Sequence, residues 1–185
     1  MQNITLLYGC VREGRQSIRA ARAVENAFKE SGKVNVTLID LKEKQYELPV
    51  MTERLKDMKG TPPENVMRIS GLLKNADGIV FITPEYNNSY SGALKNAVDY
   101  FTFEWAKKPI GCVCASAGKM GGVNASNLLQ LLILAIQAHP MPYKLLVPEL
   151  EKSIDMEGKA LNETMQKNID KFVNEFLEFV ELHKK

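Results

Sequence analysis

Gly78-Ile79-Val80-Phe81-Ile82-Thr83-Pro84 is the stretch on which the fold turns. Its apolar core runs without polar alternation, and a proline closes it. A strand with one solvated face alternates. An unbroken apolar run belongs to a strand covered on both faces, as in a parallel sheet between layers of helices. The flanks agree with that reading. Before the run, Glu64–Asn75 puts Val66, Ile69, Leu72 and Leu73 on one side of a helix, behind a loop that carries Gly60 and Pro62-Pro63. After it, Ser91–Phe101 reads as a second helix with Ser91 as its N-cap.

The same alternation runs along the whole 185-residue chain. Ile4–Tyr8, Val34–Leu41, Pro109–Ala115 and Tyr143–Val147 read as further strands, and Ser17–Ser31, Asn124–Gln137 and Ala160–Leu182 as further helices. Strand–helix repetition with short connections predicts an α/β, three-layer, flavodoxin-like domain over residues 1–185. Its five parallel strands would lie in the order 2-1-3-4-5, with helices on both faces and right-handed crossovers. Asn124–Gln137 is apolar around much of its girth, unlike a helix with a free surface face.

Composition removes other classes. With a net charge of +2 from mixed signs, the chain carries no strong footprint for nucleic acid. Three cysteines, an odd number, make no disulfide framework. Cys112 and Cys114 are expected to pack on a central strand, and no His/Cys cluster offers a metal site. His139 reads as a turn residue beside Pro140, and His183 as the solvated end of the last helix. The greasiest stretch, Leu128–Ile136, is interrupted by Gln130 and falls far short of the roughly 20 residues that cross a membrane. The first residues show no basic region followed by an apolar segment, so the cytoplasm is the expected compartment.

In an open parallel sheet, ligands bind beyond the carboxyl ends of the strands, where the strand order reverses between strands 1 and 3. Three loops therefore matter. The first, Gly9–Ser17, combines Gly9 and Gly14 with Arg12, Arg15, Ser17 and the start of a helix, which suits a phosphate monoester. The same residues also suit a solvated loop with two incidental arginines and Ser17 as a plain N-cap. The second, Thr83–Gly92, sets Tyr86, Asn87 and Tyr90 in a turn-rich segment that suits a planar heterocycle with amide-like edges, or local packing of its tyrosines. The third, Ser116–Gly122, is rich in glycine and would let backbone N–H groups approach a flat ligand.

Two familiar phosphate chemistries fail on spacing. Gly9 and Gly14 match the glycines of a Walker A loop, but Arg15 replaces the lysine, and strand 3 ends in Thr83-Pro84 rather than a magnesium-binding acid. A cysteine phosphatase places arginine six positions after its cysteine; six after Cys10 is Gln16. Cys10 therefore reads as a small buried residue.

The second loop and its helix carry a resemblance. Pro84-Glu85-Tyr86-Asn87 through Ser91-Gly92-Ala93-Leu94-Lys95-Asn96-Ala97-Val98-Asp99 resembles the signature of the NAD(P)H-dependent FMN reductase family, roughly P-E-Y-N-x-S-x-P-G-x-L-K-N-A-x-D. That family includes small quinone reductases and azoreductases. The first loop resembles the family's G-S-x-R-x-G-R-x phosphate loop, and the third its G-x-x-G-G loop. The resemblance implies that an FMN phosphate sits in the first loop, held by Arg12, Arg15, Gln16, Ser17 and backbone amides around Ile18. The isoalloxazine would meet Pro84, Glu85, Tyr86 and Asn87, with Ser116, Ala117 and Gly118 on its other side.

The resemblance also implies ping-pong hydride transfer, from NADPH or NADH to FMN and then to a quinone, an azo compound, a flavin or another small-molecule electron acceptor. The flavin carries the chemistry, so no side chain is assigned as catalytic; Lys119 is a candidate to offset charge on the reduced ring. A homodimer or homotetramer is implied, joined through the helices after the second and third loops. Trp105 and Phe103 either line a partner's flavin site or simply pack. Two positions depart from the family pattern: Cys10 stands for its serine and Ser91 for its proline. The rival reading is a non-catalytic flavin-bound electron carrier or redox-sensing protein; carriers of this fold are typically acidic, and this chain is slightly basic.

Overall fold

The run that begins at Gly78 is the middle strand of the sheet. A computed structural model describes residues 1–184; Lys185, the last residue of the expected domain, lies outside them. The strands are β1 Gln2–Tyr8, β2 Val34–Asp40, β3 Gly78–Pro84, β4 Pro109–Ala115, β5 His139–Pro140 and β6 Leu145–Val147. The helices are α1 Ile18–Glu30, α2 Glu64–Asn75, α3 Gly92–Tyr100, α4 Val123–Ala135, α5 Leu150–Ser153 and α6 Glu163–Leu182. The sheet order is β2-β1-β3-β4-β5, every pairing is parallel, and β6 also pairs with β4. This is the expected doubly wound, flavodoxin-like order.

The fifth strand differs from expectation. In place of one strand over 143–147, two short pieces share the edge of β4: His139–Pro140 beside Pro109–Ile110, and Leu145–Val147 beside Val113–Ala115. Pro140 and Pro142 lack the N–H that a continuous ladder needs, so pairing lapses between the pieces. His139 accordingly opens a strand rather than a turn. Its ring lies 4.7 Å from that of His183, which is half-buried at the end of α6 rather than solvated and bonds through Nδ1 to the Phe179 carbonyl at 2.7 Å.

Alternate residues of each strand feed two cores. Leu6, Tyr8, Val80, Ile82 and Val113 pack under α1 and α6, while Leu7, Phe81, Ile110, Cys112 and Cys114 pack under α2, α3 and α4. Burial pushes the Cys112 thiol up to about 12 and the Cys114 thiol well above its ordinary value, so both are inert packing groups. Trp105 is fully buried, edge-on to Phe81 at 5.5 Å, and donates its N–H to the Val98 and Phe101 carbonyls, both at 3.1 Å. Its role is packing; Phe103 stays exposed. On α4, Ala125, Ser126, Leu129 and Ile133 face the core, while Leu128, Leu131 and Leu134 stand 40%, 64% and 58% exposed. No helix among the described residues is long and apolar enough to cross a membrane.

Candidate functional site

The register brings the carboxyl ends together. Tyr8 pairs with Asp40 and with Ile82, Pro84 pairs with Ala115, and Ala115 pairs with Val147. The loops leaving these residues enclose a cavity of about 340 Å³, within the roughly 300–1,000 Å³ of small-molecule sites. Of the twelve expected contact residues, Arg12, Arg15, Gln16, Ser17, Pro84, Glu85, Tyr86, Ser116 and Ala117 border the cavity. Ile18 turns its side chain into the core, Asn87 stands exposed at the tip of its turn, and Gly118 lies one residue beyond the rim.

The first loop is tied down by side chains. Ser17 does not cap α1 with its hydroxyl; that oxygen sits 2.7 Å from the Tyr8 hydroxyl, and Ser17 is buried. Arg15 donates to the Cys10 carbonyl at 2.5 Å and grips Asp40 with both terminal nitrogens, 2.6 Å to Oδ1 and a second bond to Oδ2. Burial would push its guanidinium down, but the Asp40 carboxylate holds it above its ordinary value. Gln16 accepts from Arg19 at 2.9 Å, and Arg19 donates to the Ile154 carbonyl at 3.0 Å. Arg12 makes no ion pair among the described residues; its guanidinium lies 5.4 Å from the Tyr86 ring. Among the described residues, no protein acceptor takes the N–H groups of Gly14 through Ile18. They gather at the positive end of a thirteen-residue helix with no acidic residue in its first turn.

Cys10 is buried, and its Sγ lies 3.2 Å from the Tyr86 hydroxyl. Burial pushes the thiol up. Hydrogen bonds from Tyr86, the Arg12 N–H, Ser17 and Tyr8 outweigh it, and the thiol ends below its ordinary value.

In the second loop, Tyr86 and Ser89 exchange backbone hydrogen bonds of 2.8 and 3.0 Å around Asn87 and Asn88, whose φ angles are 50° and 63°. Two left-handed residues between paired ends make a type I′ turn, which asparagine tolerates. The Glu85 carboxylate points away from the turn and accepts from the Ala125 N–H at 3.0 Å, capping α4. Ser91 caps α3 as expected, accepting from Leu94 N at 3.2 Å, and its hydroxyl also donates to the Gly9 carbonyl. A serine in this position thus joins the second loop to the first.

The third loop is held mainly by backbone, with one side-chain bond from the Ser116 hydroxyl to the Gly118 carbonyl at 3.1 Å. Ser116 N donates to the Val147 carbonyl at 3.1 Å, Val147 N to the Gly121 carbonyl at 3.2 Å, and Ala117 through Met120 are exposed. A fourth wall was missed in the sequence. Leu150 and Glu151, at the start of α5, also border the cavity, and the Glu149 and Leu150 N–H groups bond to Gly118 and Ser116. The carboxyl end of the fifth strand would have pointed to it. Tyr8 and Asp40 were missed because their roles depend on strand register.

The residues present suit a flavin mononucleotide. The row of free N–H groups with Arg12 suits a phosphate monoester, and the space between Pro84–Tyr86 and Ala115–Ala117 suits a flat ring. Strand order, switch-point cavity and helix N-terminus together define a flavodoxin-like α/β protein. Residues 2–151 match the NADPH-dependent FMN reductase family, and the chain belongs to that family of oxidoreductases. An NADPH azoreductase of a Bacillus species is 32% identical over 122 residues, 65% of this chain and 66% of the azoreductase. A quinone reductase of Pseudomonas putida is 27% identical over 189 residues, covering 98% of this chain and 96% of the reductase. Among solved structures, the flavoenzyme NAD(P)H:(acceptor) oxidoreductase FerB of Paracoccus denitrificans superposes with a TM-score of 0.85 at 23% identity, over 99% of both chains. That last likeness bears on fold alone.

Proposed function

We propose that this chain holds FMN and works in the cytoplasm as an NAD(P)H-dependent oxidoreductase, passing two electrons to quinones, azo compounds, flavins or similar flat acceptors. The observation that carries the reading is the row of unpaired N–H groups at the start of α1, facing the cavity beside an uncommitted Arg12. Bound FMN would supply the hydride chemistry, taken from NADPH or NADH and given to the acceptor in ping-pong order. The chain's own residues bind and orient. The Gly14–Ile18 amides and Arg12 hold the phosphate, with Gln16 and Ser17 shaping that end. Pro84, Glu85 and Tyr86 form one wall of the ring slot and Ser116 and Ala117 the other, with Gly118 just beyond its rim. Residues 117–120 are exposed, so the slot opens to solvent on the side where a nicotinamide and an acceptor would take turns.

Residues 1–185 act as one flavodoxin-like unit in this reading, and nicotinamide and acceptor share the flavin face. Leu128, Leu131 and Leu134 form an apolar stripe that supports assembly into a homodimer or homotetramer through α4. Steady-state kinetics with FMN-loaded protein, NADPH or NADH and a soluble quinone test the proposal. Parallel double-reciprocal lines are expected. Flavin reduction without any transfer to the acceptors would support the carrier reading instead.

A further inference from the structure

An arginine in an anion-receiving loop would ordinarily be counted among the ligands of the anion. Arg15 is already spent. Its two terminal nitrogens take both oxygens of Asp40, and one of them also takes the Cys10 carbonyl. Its guanidinium lies 5.0 Å from the Tyr8 ring centroid. The side chains of Arg15 and Asp40 are 15% and 6% exposed, so the pair is largely out of water. Moving Arg15 to a phosphate would strand an almost buried carboxylate without its cation. The pairing follows from topology. Tyr8 and Asp40 are register partners at the carboxyl ends of β1 and β2, and the loop after β1 folds Arg15 back over both. The other end of the loop is pinned to the same strand through Ser17 and the Tyr8 hydroxyl.

We propose that Asp40 is a positioning residue for the phosphate end of the site. Acting through Arg15, it braces residues 10–17 in the shape that leaves the N–H groups of Gly14 to Ile18 free. Arg15 is a brace and not a phosphate ligand, so Arg12 is the one side-chain cation left for the anion among those bordering the cavity. This inference rests on the FMN reading above and adds to it a residue outside the cavity lining.

The test compares FMN with riboflavin, which lacks only the phosphate, by calorimetric or fluorescence titration of wild type, Asp40→Asn and Arg15→Lys. Wild type is expected to prefer FMN. Asp40→Asn removes the carboxylate charge and one acceptor at nearly constant shape, and should cut that preference by about tenfold or more while riboflavin affinity holds. Arg15→Lys keeps the positive charge but cannot brace bidentately, and should lose the preference in the same way. A merely structural role would weaken both ligands together and overturn the proposal. If Arg15 is itself a phosphate ligand, Asp40→Asn releases it, and an FMN preference that is kept or increased overturns the proposal. Should Asp40→Asn fail to fold, Arg15→Lys decides alone: retained preference overturns the brace. A wild type that does not prefer FMN overturns the functional reading itself, and this inference with it.

Discussion

The first and third loops lie on opposite sides of the same cavity and are held by different means. The first is cross-linked by side chains: Ser17 to Tyr8, Arg15 to Asp40, Cys10 to Tyr86, and Gly9 to Ser91. The third is held by backbone bonds to β6 and α5, with the side chains of Ala117, Lys119 and Met120 left in solvent. The contrast fits a division of labour between one wall built for a resident group and another that passing molecules can reach. Preorganised donors strengthen binding because they need no reordering when the ligand arrives.

The largest expected break of this contrast comes from paired glycine substitutions. A Cβ at Gly9 would meet the Leu94 Cβ and lie 2.9 Å from the Leu94 Cα, backbone that cannot yield. Gly9→Ala should cost about 3 kcal/mol of stability and abolish FMN binding. At Gly118 the nearest atom to an added Cβ is the Ser116 hydroxyl at 3.8 Å, and Gly118→Ala should stay within about 0.5 kcal/mol of wild type. Denaturant melts of the two variants, side by side, measure the difference.

Next in size is the loss of charge. Arg12→Ala should weaken FMN binding by about 1.5–3 kcal/mol, the range for a hydrogen bond to a charged group, with riboflavin affinity unchanged. Lys119→Ala, on the third loop, should change FMN affinity less than about twofold, since an exposed lysine contributes little. Equal losses from the two substitutions, by titration, would erase the distinction between the walls.

The smallest effect concerns Cys10. Because its folded thiol titrates below the ordinary value, the folded chain releases the proton first as pH rises. Stability therefore increases with pH across the interval between the two values. Tyr86→Phe removes the side-chain hydrogen bond that helps hold the thiol down, so thiolate absorbance should appear at higher pH and the gain in stability should shrink. The cost at neutral pH should be about 1 kcal/mol. An unchanged thiolate titration would mean that Tyr86 does not tie the two loops.

Much of the architecture is legible in the chain because burial on both faces leaves an unbroken apolar mark. β3 is recognised by this mark, and the helices beside it by their one-sided apolar residues. The split of the fifth strand is less legible: Pro140 and Pro142 make 139–142 look like a turn before a strand at 143–147, and only the pairing with β4 shows that His139–Pro140 belongs to the sheet edge. At the site, the loops that border the cavity could be found from strand order alone. What Arg15 does could not. Asp40 is distant in sequence and becomes its partner only because β1 and β2 pair in one register. Ser17 likewise looks like a helix cap until the Tyr8 hydroxyl is placed beside it.

Anaerobic spectrophotometry of the chain mixed with FMN, freed of unbound flavin and then given NADPH or NADH, tests the central claim most directly. The account predicts protein that retains the yellow of oxidised flavin and loses it on adding at least one of the two nucleotides. A colourless protein that fails to retain added FMN, or retained flavin bleached by neither nucleotide, would contradict it.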